Sequence, residues 1–223
     1  MKVIARIKCD YKEKFGIPRQ SGLVMGVVGR IVFEPEYRRD EALVGIEGFS
    51  HLWLIWGFSK AERDTWSPTV RPPRLGGNKR MGVFATRSPF RPNPIGLSSV
   101  KLVGVEKTKD EGTVLLVEGV DLLDGTPIYD VKPYLAYTDS HPEAIGGFAD
   151  GVKDYKVEVR FDVGVIDKVD ENERATLISI LEGDPCPSYK SDPDYEYGMS
   201  FSRYEIHFKK DDTGITVTRV EAK

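Results

Sequence analysis

The chain has 223 residues, and its apolar (40%) and charged (30%) fractions are ordinary for a soluble globular protein, enough for one medium domain or one domain with a small appendage. No apolar run approaches the roughly 20 residues that span a bilayer, and the N-terminal MKVIARIKCDYKEKFG holds no signal-peptide core, so the expectation is a cytoplasmic protein with no membrane partner. The net charge of −3 is distributed unevenly. Ser67 to Val105 contains no Asp or Glu, yet Arg71, Arg74, Lys79, Arg80, Arg87, Arg91 and Lys101 give it +7, which leaves −10 for the remainder. A basic island on an acidic protein suits phosphates; a solvated basic loop is the plainer alternative.

In chain order, residues 3–9 are apolar-rich and predict a first strand. Arg39–Val44 offers one short helical turn. His51–Ser59 (HLWLIWGFS) is apolar on both alternating faces and predicts a buried central strand. Further strands are expected at Met81–Ala85, Gly96–Val105 and Thr113–Gly119. Many short strands punctuated by Gly and Pro indicate a barrel or sandwich. Beyond this, Val157, Val159, Phe161, Val163 and Val165 alternate with polar residues and predict a half-buried strand. Asp170 with Glu173 is a helix-start signature, Leu177, Ile178 and Leu181 form one helical face, and Gly183 before Asp184-Pro185 stops the helix. Residues 199–209 and 215–220 read as a closing strand pair, with Asp-Asp-Thr-Gly (211–214) as its turn. The expected architecture is therefore mainly β: residues 1–150 as a barrel or sandwich domain and 155–223 as a small α+β C-terminal domain.

Several chemistries lack their signatures. There is no P-loop, no Gly-rich dinucleotide fingerprint, no Cys-x-x-Cys and no His-Glu-x-x-His, and His51, His141 and His207 are scattered, so no metal is expected. Cys9 and Cys186 read as free thiols of a reducing compartment. Three segments are unusual for pure connection: Phe15-Gly16-Ile17-Pro18-Arg19-Gln20, the run ATRSPFRPNPIG from Ala85 to Gly96, and DLLDGTPI from Asp121 to Ile128. Proline fixes φ and removes donors, glycine permits close approach, and a stiff loop bearing Arg is a preorganised platform for anions or aromatic rings.

The stretch PTVRPPRLGGNKRMGVFATRSPFRPNPIGLS (Pro68–Ser98) resembles the hallmark of the TsaA/TrmO (YaeB-like) family. So do Lys14-Phe15 with Pro18-Arg19-Gln20, GIEGFSHLWLIWGF (Gly45–Phe58), DLLDGTPIYDVKPYL (Asp121–Leu135) and the tail segment DPCPSY (Asp184–Tyr189). The likeness runs through nearly the whole chain in order. It implies a YaeB-like β-barrel methyltransferase that uses S-adenosylmethionine to N6-methylate threonylcarbamoyladenosine at tRNA position 37 in threonine tRNAs. Members are typically homodimers. A non-enzymatic RNA-binding barrel is the alternative from the basic island alone.

By position, the resemblance assigns Pro18, Arg19, Gln20, Arg87, Leu97, Asp124, Gly125, Thr126 and Pro127 to the cofactor. The family also uses the two residues after the buried strand, often His-Gln; here they are Ser59 and Lys60, a departure that puts those two contacts in question. Asp124 and Asp130 are the carboxylates expected to assist proton removal, although Asp124 has a rival role in cofactor binding. Arg71, Arg74, Lys79, Arg80 and Arg91 are expected to meet tRNA, Arg91 through a carboxylate or phosphate, and Phe90 and Tyr134 are candidate rings for an exposed base.

Overall fold

The computed structural model describes residues 1–59, 65–72, 75, 79–187 and 192–223. In chain order the strands are β1 (Ala5–Lys8), β2 (Val28–Phe33), β3 (His51–Gly57), β4 (Thr69–Val70), β5 (Met81–Gly82), β6 (Ile95–Thr108), β7 (Gly112–Glu118) and β8 (Pro127–Pro133). Then follow α1 (Ala136–Asp139), β9 (Val159–Phe161), α2 (Glu171–Glu182), β10 (Glu196–Phe201), β11 (Tyr204–Asp211) and β12 (Gly214–Ala222).

The first half is mainly β with few helical turns. Six strands pair in the order β1-β2-β7-β6-β3-β8, and β8 returns to β1, closing a barrel. Its interior follows from alternation: Leu52, Leu54 and Trp56 of β3, Val100 of β6, Leu115 and Val117 of β7 and Ile128 of β8 are all buried. Strands β2 and β8 were not expected from the sequence. β8 (PIYDVKP) is bracketed by prolines and carries Asp and Lys, yet it pairs with both β3 and β1. Met81–Ala85 is strand only at its first two residues and continues as a 3-10 turn, and Arg39–Val44 contains the 3-10 turn Asp40–Leu43.

The tail forms a four-stranded sheet, β10-β11-β12-β9, with α2 beside it. Two expectations change here. The strand predicted across 157–165 is regular only over Val159–Phe161, and Val163 is fully exposed. The single strand predicted over 199–209 is a hairpin, β10 and β11, turning at Ser202 with φ +50°. Asp170 does start α2, but its side chain makes no cap hydrogen bond; it accepts one from Arg203 instead.

One core runs through both halves, from Ile7, Ile31 and Leu115 of the barrel to Leu177, Met199 and Phe208 of the tail. Residues 11–27, between β1 and β2, form the join. The Phe15 ring stacks near Tyr197 (6.0 Å, 12°) and Phe208 (6.1 Å, 6°). Gly16 has φ +86°, and a Cβ there would lie 2.4 Å from Met199 Sδ, so the chain must be bare where it crosses the tail sheet. Thr176 Oγ1 of α2 donates to Met25 O (3.2 Å), and Ser200 N donates to Glu13 Oε1 (2.8 Å). The segment carrying Pro18-Arg19-Gln20 is thus held by the tail at both ends.

Candidate active site

A cleft of about 890 Å³ opens at the end of β3 and β6. Its floor is Trp56, which faces Gly96 across the β3–β6 ladder. A Cβ on Gly96 would come within 2.2 Å of the indole, so the glycine lets the ring lie across β6. Phe58 packs against Trp56 with ring centroids 4.3 Å apart. The Trp56 Nε1–H donates to Ser98 Oγ (2.9 Å), and the Ser98 hydroxyl, itself buried, donates to Asp121 Oδ1 (2.6 Å). Asp121 lines the cleft. Burial pushes its carboxyl above the usual carboxylate range, against the opposing pull of Ser98, of the backbone N–H groups of Asp121 and Ser21, and of Arg87.

The rim is cationic. Arg19, Arg87 and Arg91 line the same cleft. Arg87 Nη1 donates to Gln20 Oε1, tying the proline-stiffened loop to the residue 11–27 segment. Arg19 Nη2 donates to the carbonyl of Asp184 in the tail (2.7 Å), so a buried tail residue fixes the direction of a cleft arginine. Arg91 Nη1 donates to Thr86 O (2.9 Å), which braces its own loop. A second cleft of about 1330 Å³ adjoins the first; both are lined by Arg19, Gln20, Thr86, Arg87 and Pro89. Arg71 and Arg80 line this second cleft.

Among known proteins, the family model for the tRNA-methyltransferase O N-terminal domain matches residues 6–140, and that for the TrmO C-terminal domain matches residues 154–223. The chain belongs to the tRNA-methyltransferase O family. The tRNA (adenine(37)-N6)-methyltransferase of Escherichia coli (strain K12) is 40% identical over 228 residues, covering 99% of this chain and 97% of its own. The enzyme of the same name from Eikenella corrodens is 44% identical over 72% of this chain and 90% of its own. A crystal structure of TrmO from Pseudomonas aeruginosa superposes with a TM-score of 0.78 at 31% identity, over 100% of this chain and 97% of that one. The resemblance read from the sequence motifs is borne out.

Set against TrmO-family expectations, the geometry sorts the named residues. Pro18, Arg19, Gln20, Ser59, Arg87, Leu97 and Thr126 line the first cleft. Lys60 and Arg74 lie outside the described residues, as do Ser188 and Tyr189 of the tail motif. Lys79 lines neither cleft. Asp124, Gly125 and Pro127 do not line the first cleft either. Their polar groups are committed to the seam between β1 and β8: Cys9 N donates to Asp124 Oδ1 (3.0 Å), Lys12 Nζ pairs with Asp124 Oδ2 (2.9 Å), and Gly125 N donates to Ile7 O (2.8 Å). Asp130 also stands apart from the cleft; its carboxylate accepts from its neighbour Val131 N (3.0 Å) and pairs with Lys132 (3.2 Å). Tyr134 packs on Trp53 at 5.4 Å.

The carboxylate the geometry does bring in is Asp121, three residues before Asp124 in the same quoted segment. A signal for it was present in the sequence: Asp121 sits between Val120 and Leu122, both apolar, and a carboxylate there enters a low-dielectric wall. Both cysteines are buried free thiols, pushed up by burial to about 11 (Cys9) and about 12 (Cys186). Among the described residues, no group of His, Cys, Asp and Glu is arranged to hold a metal ion, and no helix is long and apolar enough to cross a membrane.

Proposed function

We propose that this chain is an S-adenosylmethionine-dependent tRNA (adenine(37)-N6)-methyltransferase whose acceptor is N6 of threonylcarbamoyladenosine in threonine tRNAs. The observation that carries the reading is the convergence in one cleft of Pro18, Arg19, Gln20, Arg87 and Leu97, the positions that family resemblance gives to the cofactor. The cleft's chemistry fits that ligand. Trp56, Phe58 and Leu97 offer apolar surface for a purine, Arg19 and Arg87 suit a carboxylate, and Asp121 suits a cationic group. A relative in Pyrococcus abyssi, 39% identical over 61% of this chain and 68% of its own, bears the name "Probable S-adenosyl-L-methionine-binding protein". We further propose that residues 1–150 and 155–223 are the two domains, that the protein works as a homodimer, and that it acts in the cytoplasm.

When bound, S-adenosylmethionine supplies a methyl group on an electrophilic sulfonium centre. The acceptor nitrogen is conjugated with the purine and with a urea carbonyl, so it is a weak nucleophile. The chain supplies two kinds of help. The rim residues Arg19, Gln20 and Arg87 would hold donor and acceptor together, and such positioning supplies much of the rate. Asp121, a carboxylate made more basic by burial, takes the proton that leaves N6. Ser98 and Trp56 behind it hold the carboxylate in one orientation. Arg71 and Arg80 receive tRNA phosphates, and Arg91 keeps the rim loop in shape. A non-enzymatic RNA-binding barrel would need the cations but not a half-buried carboxylate beside them.

The direct test incubates the protein with labelled methyl donor and with tRNA carrying or lacking the threonylcarbamoyl group, followed by nucleoside digestion. Label in the doubly modified adenosine alone is the expected result. Equal labelling of unmodified tRNA, or none of either, refutes the reading.

A further inference from the structure

The second cleft shares one wall with the first and adds others. Its walls come from β4, from the 3-10 turn Val83–Ala85 after β5, from the proline loop, and from the 3-10 turn Gly147–Val152. Phe84, Phe90 and Phe148 line it, together with Arg19, Arg71, Arg80 and Arg87, and among the described residues no carboxylate side chain does. Phe84 is 72% exposed, although it follows Val83, which is 1% exposed. The backbone is therefore anchored while the ring is presented outward. Trp66, 51% exposed, lies beside it with ring centroids 6.0 Å apart and planes 31° from parallel.

Two adjoining exposed rings, one of them on a wall that is cationic among the described residues, form an apolar patch with a charge preference, and such patches mark binding surfaces. Anionic phosphates with a flat, unsaturated body between them match this wall. Lipid and acidic peptide would meet both the arginines and the rings, but neither is the ligand proposed for the adjoining cleft. Duplex RNA would not satisfy the rings, because its bases are already stacked; an unpaired base has a free face. The cleft also shares Arg19, Gln20, Thr86, Arg87 and Pro89 with the candidate methyl-transfer cleft, so one ligand reaches both. Adjacent nucleotides of a single-stranded loop have that continuity.

We infer that the second cleft is a nucleobase site: the unpaired base next to the acceptor adenosine stacks on Phe84, with Trp66 flanking it and Arg71 and Arg80 on its phosphates. This rests on the tRNA-methylating reading and names how the loop is gripped. The acceptor must leave the loop's own stack to enter the first cleft, and Phe84 replaces the stacking its neighbour loses in that event. Recognition by stacking is tolerant of base identity, so this site selects for a splayed loop rather than for one sequence.

The test uses the full-length protein and a stem-loop RNA carrying threonylcarbamoyladenosine. The fluorescent base 2-aminopurine is placed immediately 5′ or immediately 3′ of that residue. With wild type, one of the two probes should change emission on binding. Phe84→Ala should abolish that change and weaken RNA binding at least fivefold, with affinity for S-adenosylhomocysteine at the wild-type level. Phe84→Tyr should restore the signal and Phe84→Leu should not, since only a ring supplies a stacking face. An unchanged signal in Phe84→Ala, or full rescue by Leu, overturns the inference. So does conversion of a dimer to a monomer by Phe84→Ala in sedimentation, which would make a second copy of the chain the occupant. Methyl transfer to the same RNA by wild type is read in parallel. Transfer with no Phe84-dependent signal removes the stacking site and leaves the enzyme reading intact; neither binding nor transfer removes both.

Discussion

Replacing Phe15 by Ala should damage cofactor binding from outside the cleft. The ring stands at the join, within 6.0 and 6.1 Å of Tyr197 and Phe208, three residues before Pro18. Deleting a fully buried Phe costs about 3–5 kcal/mol. Phe15 is only partly buried, so about 2–4 kcal/mol is the fitting range. At about 2–4 °C per kcal/mol for a chain of this size, the melting temperature should fall by roughly 4–16 °C. The loss should also free the segment that aims Arg19 and Gln20 at the cleft. Affinity for S-adenosylhomocysteine should then fall about tenfold, or about 1.4 kcal/mol, in calorimetry run well below the melting transition. Ile215→Ala, in the buried part of β12, is the comparison: it should cost about 2–5 kcal/mol of stability and leave affinity unchanged. If folded Phe15→Ala binds with wild-type affinity, the tail does not position the cofactor loop and the reasoning fails.

Asp121→Asn should lower kcat at least a hundredfold at neutral pH while tRNA affinity holds, and the acid limb of the wild-type pH–kcat profile should lie above the ordinary aspartate value of 3.8; a wild-type kcat in the variant excludes the proton-accepting role. The same raised pKa makes the folded state hold its proton longer than the unfolded one, so this group's contribution is fully present below pH 3.8 and is lost as pH rises through the folded value; denaturation across that window should show wild type losing stability relative to Asp121→Asn, and parallel curves would contradict it. Arg87→Lys keeps the charge but loses the planar fork that reaches Gln20, and should weaken cofactor binding or turnover at least tenfold by calorimetry or steady-state rates. Arg71→Ala with Arg80→Ala should lower the log–log salt slope of tRNA binding by about one to two units with cofactor affinity unchanged; superimposable salt plots would return both arginines to the fold.

The elements that could be read from the sequence were those whose pattern is local. His51–Ser59 declares a buried strand because β3 is covered by β6 on one side and β8 on the other, and α2 carries both its start and its stop signals. β8 was missed because its stability is supplied by partners far away, not by its own proline-bracketed residues. Of the residues expected at the cofactor, those that line the cleft are Pro18 to Gln20 and Arg87 in the loops, Ser59 just after β3, Leu97 in β6 and Thr126 just before β8. Asp124 was drawn to the site by its place in a motif, whereas the structure spends it on Cys9 N and Lys12 at the barrel seam. Asp121 carried only its apolar neighbours as a local signal; the contacts that orient its carboxylate come from Ser98 and Trp56, 23 or more positions away.

The seam between β1 and β8 also sets when the molecule becomes competent during its synthesis. Ala5 pairs with Ile128, so β1 waits for that partner through the translation of 123 further residues. At about 5–20 residues per second, the wait is roughly 6–25 s. Phe15 waits longer still, because Tyr197 and Phe208 are near the end of the chain. A nascent chain that has already emerged with all of Pro68–Ser98 thus carries its basic loop without a finished floor or an aimed Arg19. Such a chain has the cations to attract RNA before it has the geometry to modify it, and the interval is governed by the ribosome rather than by the barrel.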